Sequence, residues 1–420
     1  MINRFGWALA DQVLSSATNF ALSLLVARTV GARDLGAFSV AYATFTFSLG
    51  AVRAIAGELL VVRHSAVPVE DWHEGVQRAA GTALIAGILV GIGCLIAGAV
   101  AGSSSRSVFT IVGLSLPLLL IQDVWRFAFF ARRRGSAAFV NDLVWAILIL
   151  GAFALLRRFD VTSVAWFTFG WAASGCLAAV VGMFQLKAIP SGPRASFTWL
   201  RSHRDIAPRF VAEFAVGTGV SSMTLFAIGA VAGLGEVGRL RAGEIALGPL
   251  NVLFLGMGLV ATAEGVRLLH ESSKRFVSGC RWLSLTVMAG VLAWGFIVLM
   301  LPREIGEMVM RTNWILARSL VPLLLIALAG YASSFGAWTG LRALAAARRS
   351  LRAKCIDGAL TISFAVTGAY LAGAVGVASG YAISAWLKSL NVWWQFARAL
   401  REHERSAGLR ATKAPVAARG

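Results

Sequence analysis

The first apolar segment of the chain would carry its polar side chains on one face if it formed a helix. At about 100° per residue these side chains fall within an arc of about 160°, and the opposite arc is apolar. They are Asp11, Gln12, Ser15, Ser16, Thr18, Asn19 and Ser23. Such groups can hydrogen-bond a polar ligand. Two structures fit the pattern: a helix between lipid and a water-filled cavity, which we favour, or a helix packed against another polar helix.

The second apolar segment carries Arg53 near its middle and Glu58 five residues later. Residues five apart lie about 140° apart around a helix, so these two do not pair with each other. A charge in the middle of a bilayer costs roughly 3 kcal/mol or more and therefore marks a functional site by default. Arg53 needs a partner on another helix, for which Asp11 is available, or on a ligand. The sequence leaves both partners open.

Other charged residues in apolar segments have spacings that predict pairing within one helix. Asp123 and Arg126 are three residues apart, as are Glu264 and Arg267. Side chains at this spacing are neighbours on a helix surface. The candidate binding residues of the whole chain are Arg53, Asp11, Gln12, Ser15, Asn19, Glu58, Arg241 and Glu264.

Motifs of enzymes, metal sites and cofactor sites are absent from the sequence. It has no phosphate-binding Gly-rich loop, no Gly-x-Ser-x-Gly and no His-Glu-x-x-His. The four cysteines are isolated and the five histidines lack ligand spacing. We therefore expect no enzymatic activity, no cofactor and no metal.

The composition indicates an integral membrane protein. Of 420 residues, 58% are hydrophobic and 14% charged, against about 25% charged in soluble proteins. Apolar runs long enough to cross a bilayer recur along the chain. There are about twelve, at roughly 6–30, 36–62, 79–101, 108–131, 137–156, 163–187, 207–233, 239–267, 282–301, 315–341, 356–376 and 379–400. The predicted fold is an all-α polytopic membrane protein with two six-helix bundles.

The net charge of +19 suggests nucleic acid at first, but its placement favours a membrane orientation signal. If twelve helices alternate from an inner N-terminus, about 26 of the lysines and arginines fall on the inner side and about 10 on the outer side. Both termini are therefore predicted to be cytoplasmic. The basic clusters would contact anionic membrane lipids, and we expect no nucleic-acid partner.

The two halves of the chain resemble each other. The pentapeptide PLLLI at 117–121 recurs at 322–326, and Glu58 and His64 recur as Glu264 and His270 at nearly the same offset. Chance matches in Leu-rich sequence are the alternative. Paired membrane halves are typical of transporters with a site between them. The predicted domains are an N-terminal bundle (1–187), a cytoplasmic linker (188–206), a C-terminal bundle (207–400) and a basic tail (401–420).

Two segments outside the bundles have their own predictions. Pro and Gly at 190–193 break any helix there, so 188–206 is predicted to be a linker. Phe197, Trp199 and Leu200 within it would dip into the membrane interface. The tail from about 401 is basic, rich in Ala and Arg, and predicted to be disordered.

Two stretches of the sequence resemble a known family. The run VARTVGARDLG at 26–36 after a polar first helix, and QDVWR at 122–126 followed by 131–142, are similar to Wzx-type polysaccharide flippases. These belong to the multidrug/oligosaccharidyl-lipid/polysaccharide superfamily. The resemblance implies twelve helices, a cavity lined by helices one, two, seven and eight, and alternating access. It also implies a lipid-linked oligosaccharide as substrate and Arg53 as a match for an essential helix-two arginine of lipid II flippases.

The departures from lipid II flippases favour a different lipid-linked glycan. Those flippases place arginines within helix one, where this chain has Asp11 and Ser/Thr residues, and they have two further C-terminal helices. The expected setting is a bacterial cytoplasmic membrane, with polysaccharide polymerases or assembly proteins as partners. A monomer is expected because both halves of the cavity are in one chain. The alternative is an ion-coupled multidrug or metabolite exporter of the same superfamily, with Asp11 as its coupling group.

Overall fold

The computed structural model describes the backbone of residues 2–100 and 102–413, and every regular element in that part of the chain is a helix. The helices are α1 (Ile2–Thr29), α2 (Ala32–Val52), α3 (Glu58–His64), α4 (Val69–Val100), α5 (Ser103–Ala131), α6 (Gly135–Arg158), α7 (Val164–Leu186), α8 (Pro193–Ser202), α9 (Ala207–Phe214), α10 (Val220–Ala232), α11 (Leu234–Ala246), α12 (Leu250–Glu271), α13 (Ser273–Met300), α14 (Arg303–Met310), α15 (Asn313–Ala343) and α16 (Ala347–Lys413). The predicted all-α polytopic fold is confirmed.

Nine helices in the described ranges are long and apolar enough to cross a membrane, or ten if one bent pair forms a single span. The bent pair is α11 and α12, which meet at Pro249 with an angle of 60°. α1 is long enough to cross but is not among the nine, and its polar face lowers its hydropathy. α16 breaks at Ala372 and Gly373 into two segments that are each long enough to cross. The described residues thus contain nine or ten candidate spans, and the count of twelve crossings stays a prediction.

Two spans contain a short π-helical segment. The first π segment, Arg53–Gly57, joins α2 to α3, and the second, Ala215–Gly219, joins α9 to α10. Gly217 in the second has non-helical backbone angles (φ −97°, ψ −107°). Single π-helical turns inside α-helices often occur at functional sites, because the extra residue re-aims nearby side chains. Arg53 is the first residue of one such turn.

By compactness the chain divides into two units. The first is Met1–Arg241 with Gly306–Trp314, and the second is Ala242–Ile305 with Ile315–Gly420. The repeated pentapeptide lies in equivalent spans, since Pro117 is inside α5 and Pro322 inside α15. The domains predicted from the sequence are drawn from the internal repeat, whereas these units are defined by compactness. The predicted boundaries therefore stay a prediction: 1–187, 188–206, 207–400 and 401–420.

Two local predictions are wrong. Trp199 does not dip into a membrane interface, because its side chain is buried inside the first unit, whereas Phe197 and Leu200 are exposed. The tail is not irregular from 401, because α16 continues to Lys413. Arg349 near the start of α16 donates from Nε to Glu402 Oε2 (2.8 Å), so the first residues of the predicted tail make a contact with the rest of α16. Residues 414–420 lie outside the described residues.

The two segments of α16 form a tight hairpin within the second unit. Gly373 has φ +53°, a conformation that side chains other than glycine's disfavour. Across the hairpin, Lys388 Nζ donates to Thr361 Oγ1 (3.0 Å) and Asn391 donates to Asp357 Oδ1 (3.2 Å). At its tip the backbones touch, because a Cβ on Gly376 would come 1.9 Å from the Gly368 carbonyl oxygen. Small residues therefore set the separation of these segments.

Gly376→Ala should push the hairpin apart and lower the free energy of unfolding by about 1–3 kcal/mol, as overpacking does elsewhere. Thermal unfolding of the purified protein in detergent measures this change. Gly151→Ala on α6 is the matched control, since a Cβ there has no atom within 4 Å. Equal unfolding temperatures for the two variants would contradict the tight contact.

A candidate binding cavity with paired charges

A polar cavity of about 210 Å³ lies within the first unit. Four helical elements line it: α1, α2 with the first π segment, α5 and α6. The lining residues are Gln12, Ser15, Thr18, Asn19, Tyr42, Phe45, Thr46, Leu49, Arg53, Gln122, Asp123, Arg126, Asp142, Trp145, Ala146 and Ile149. Ligand pockets for drug-sized molecules are roughly 300–1,000 Å³, so this space suits one charged group or one sugar ring.

Arg53 reaches the cavity from the first π segment and pairs with Asp123 of α5. Its Nε donates to Asp123 Oδ2 (2.7 Å) and its Nη2 donates to Oδ1 (2.6 Å), which is bidentate geometry. The Arg53 side chain is 34% exposed and that of Asp123 is 5% exposed. The Phe127 ring lies 5.7 Å from the guanidinium. The guanidinium is thus held by one carboxylate while part of it remains open to the cavity.

Arg126, one turn further along α5, serves two carboxylates. Its Nε donates to Asp11 Oδ2 (2.7 Å), and the same nitrogen lies 3.6 Å from Asp142 Oδ2. Asp11 is completely buried, and its Oδ1 has no hydrogen-bond partner among the described residues. Two carboxylates thus share one guanidinium, and one carboxylate oxygen has no partner among the described residues. A proton on one of the two carboxyl groups would provide the hydrogen bond that is missing.

A third set of contacts joins α5 to α6 and α7. Gln122 donates from Nε2 to Asp142 Oδ1 (2.8 Å) and to Asn141 Oδ1 (3.1 Å). Asn141 donates in turn to the Ala178 carbonyl (3.0 Å) and to Gln185 Oε1 (3.1 Å). Fully connected buried polar networks rigidify the helices that carry them. Asp142 is therefore held in place by two residues of α5 that lie one turn apart, Gln122 and Arg126.

The charges of this cluster do not cancel. Asp11, Asp123 and Asp142 face Arg53 and Arg126, so the fully ionised cluster has a formal charge of −1. A proton on one of the three carboxyl groups would make the cluster neutral. The cluster would also be neutral if one carboxylate moved away from its arginine. The described residues contain no group of three His, Cys, Asp or Glu side chains placed to hold a metal.

The structure brings together five of the eight predicted site residues. Four of them, Gln12, Ser15, Asn19 and Arg53, line the cavity. The fifth, Asp11, accepts a hydrogen bond from Arg126, which is itself a lining residue. The other three are not lining residues. Glu58 begins α3 just after the first π segment, Arg241 donates to Ser23 Oγ (3.4 Å), and Glu264 is exposed and pairs with Arg267 (3.1 Å).

One sequence-based interpretation of the charges is wrong: Asp123 and Arg126 do not pair along α5, because each faces a different helix. The partner of Arg53, which the sequence left open, is Asp123 and not Asp11. Pairing between side chains three residues apart is a rule for the surface of a single helix. Where a helix packs against others, those helices supply charged partners as well. Asp142 and Gln122 were not among the candidates. Their signal was present as polar residues within apolar runs, a placement that is costly unless they are paired.

The fold matches that of known transporters. No protein-family model matches the chain, and no curated protein matches its sequence. An inward-facing multidrug-resistance transporter of the MATE family in the MOP superfamily superposes with a TM-score of 0.68 at 12% identity, covering 92% of this chain and 95% of that one. The lipid II flippase MurJ in an inward closed conformation gives 0.67 at 12% identity, covering 94% and 90%.

A third solved structure is that of a MOP superfamily transporter from Pyrococcus furiosus, described as having a binding pocket of reverse polarity. It superposes with a TM-score of 0.57 at 12% identity, covering 93% of this chain and 94% of that one. At such identity the likeness concerns the fold. The chain therefore has the fold of MOP superfamily transporters along nearly its whole length.

The Arg53–Asp123 pair should contribute measurable coupling to stability. In a double-mutant cycle of Arg53→Ala and Asp123→Ala, we expect about 1–3 kcal/mol of interaction free energy, since one partner is buried. Chemical unfolding in detergent micelles measures each variant. The exposed pair Arg63–Asp205 is the control and should couple by about 0–1 kcal/mol. Equal coupling in both cycles would show that the buried pair is not special.

Proposed function

We propose that this protein, which has the MOP superfamily fold, is a flippase. It would move a polyprenyl-pyrophosphate-linked oligosaccharide from the cytoplasmic to the outer leaflet by alternating access, for surface polysaccharide synthesis. The observation that carries the proposal is Arg53, a bidentate cation that is one-third exposed in a polar cavity. Isolated structural ion pairs do not need such an opening.

Arg53 can exchange its carboxylate partner for a phosphate. The two oxygens of Asp123 occupy the guanidinium fork, and two oxygens of a phosphate group match the same geometry. In this proposal Asp123 neutralises Arg53 while the site is empty and releases it when the pyrophosphate arrives. The cavity volume suits this one group, while the lipid tail stays in the bilayer.

The α1 face supplies partners for the first sugar. Gln12, Ser15, Thr18 and Asn19 line the cavity beside Arg53. Sugar hydroxyl groups both donate and accept hydrogen bonds, and the amide and hydroxyl side chains of α1 do the same. The polar face of α1, costly in contact with lipid, thus has a use in contact with a glycan.

The membrane potential can supply the driving force. Moving two negative charges outward along about 100 mV yields about 4.6 kcal/mol, at about 2.3 kcal/mol per charge. This is consistent with a sequence that lacks a nucleotide-binding motif. The proposed setting is a bacterial cytoplasmic membrane with both termini in the cytoplasm, a monomer, and polysaccharide polymerases or assembly proteins as partners.

Replacing Arg53 should stop flipping. We expect Arg53→Ala to reduce the flipping rate at least tenfold, and Arg53→Lys to reduce it less, because an ammonium group keeps the charge but not the fork. The measurement is the sidedness of the lipid-linked oligosaccharide pool in cells carrying each variant. Arg63→Ala, at an exposed pair, is the control.

An unchanged pool in cells that lack the protein would overturn the flippase proposal. Flipping at the normal rate in Arg53→Ala cells would keep the flippase but remove Arg53 from the transport path. In that case Arg53 would be a structural partner of Asp123.

The ion-coupled exporter is the second candidate, and one observation favours it. Asp11 and Asp142 share Arg126, and one buried oxygen of Asp11 has no partner in the described structure. A proton held between the two carboxyls would satisfy that oxygen and cancel the formal charge of the cluster. Its release to the opposite side could drive export of a drug or metabolite.

Proton coupling makes a separate prediction. If the exporter is correct, inverted vesicles with an imposed pH gradient will transport ethidium, and Asp11→Asn and Asp142→Asn will each abolish that transport because an amide carries no exchangeable charge. Fluorescence quenching measures it. Asp71→Asn, at an exposed position of α4, is the control. Absence of ethidium transport in the unmodified protein would exclude this exporter activity.

A further inference from the structure

Helix α8 is held at a membrane surface by its neighbours in the chain. It lies between α7, which ends at Leu186, and α9, which begins at Ala207, and both neighbours belong to candidate membrane spans. The connections are only a few residues long, so α8 cannot leave the level where these spans emerge. Its two faces differ in what they contact.

One face of α8 packs against the first π segment. Trp199 is 1% exposed and donates its indole N–H to the carbonyl oxygen of Ile55 (2.9 Å). Ile55 is the middle residue of Arg53–Gly57. The Trp199 ring also packs against His64 and His203, with centroid distances of 5.1 and 4.1 Å. A movement of α8 would therefore pull on the turn that presents Arg53.

The segment before α8 is attached to α4 with little freedom. Ser191 donates its backbone N–H to the Gln77 carbonyl (2.9 Å). Directly beside this contact, a Cβ on Gly81 would come 2.3 Å from the Ser191 carbonyl oxygen, so only glycine allows the approach. α8 is thus anchored at its start by α4 and along its length by Trp199.

The opposite face of α8 is both basic and apolar. Arg194, Phe197 and Arg201 follow one another at helical spacing of three or four residues, and all are exposed. Phe197 is 67% exposed, and beside it Leu200 is 38% exposed. Neither Arg194 nor Arg201 forms an ion pair with another described residue. Exposed arginines flanked by exposed Phe and Leu side chains can lie in a membrane interface, with the charges at the headgroups and the apolar groups at the boundary with the acyl chains.

We propose that this face of α8 is a docking surface for anionic lipid headgroups and that Trp199 couples lipid binding to the Arg53 turn. Charge complementarity and the position of α8 between two spans both select a membrane surface as the occupant. Arginines there bind phosphate oxygens, while Phe197 and Leu200 enter the boundary with the acyl chains. The inference does not depend on which substrate is transported.

Hydrogen exchange of the full-length protein in nanodiscs tests both parts. One nanodisc contains phosphatidylcholine alone, and the other also contains phosphatidylglycerol. With the anionic lipid we expect exchange to slow at residues 193–204, by about fivefold for each docked arginine, which corresponds to about 1 kcal/mol. Exchange at 53–60 should change with it, because Trp199 connects the two segments.

Matched variants separate docking from coupling. Arg194→Gln with Arg201→Gln should lose both effects, since these exposed side chains contribute charge and no packing. Arg157→Gln with Arg158→Gln should keep both, because these exposed arginines end α6 on the opposite membrane face. Trp199→Phe should keep the slowing at 193–204 and lose the response at 53–60.

Three results would overturn the inference. They are equal exchange at 193–204 in the two nanodiscs, an effect that survives the Arg194/Arg201 double variant, and slowing at 193–204 with no response at 53–60 in the unmodified protein. Since the readout is exchange and not transport, these outcomes are distinct from a failure of the flippase proposal.

Discussion

A guanidinium group between apolar helices must find its counter-charge inside the protein, and this constraint organises the first unit. Burying an ion away from water costs several kcal/mol unless good geometry and further hydrogen bonds compensate. Arg53 and Arg126 meet the requirement with carboxylates from other helices, so that α1, α2, α5 and α6 are linked by charge around one cavity. Removing either arginine would leave buried carboxylates without a counter-charge.

The same pairs that join the helices define what a ligand must displace. Three carboxylates face two arginines, so an anion can bind only if a carboxylate withdraws or is protonated. In the proposed function, binding is therefore coupled to helix contacts, because a ligand can shift a protein between two arrangements only if it interacts differently with each of them. The first π segment is suited to such a change, because its backbone is already one residue out of α-helical register.

The fold and the site carry different information about this protein. Two solved transporter structures of the MOP superfamily share its fold at 12% identity, so the fold by itself does not identify what this chain carries. What distinguishes this chain is where it places its few charges. Asp11 and the hydroxyl residues stand on α1, and the bidentate Arg53–Asp123 pair stands between α2 and α5. These residues, rather than the fold, carry the functional proposals.

The helices, their apolar character and the polar face of α1 can be predicted from the sequence, because each depends on the composition and spacing of neighbouring residues. Arg53 also stands out in the sequence, since a charge within an apolar run is costly wherever it lies. The pairing of Arg53 with Asp123, the binding of Asp11 and Asp142 by Arg126, and the burial of Trp199 against Ile55 depend on how the helices pack in three dimensions. Apart from Arg126 and Asp142, these partners lie 70 to 144 residues apart in the chain, and no local rule selects among them.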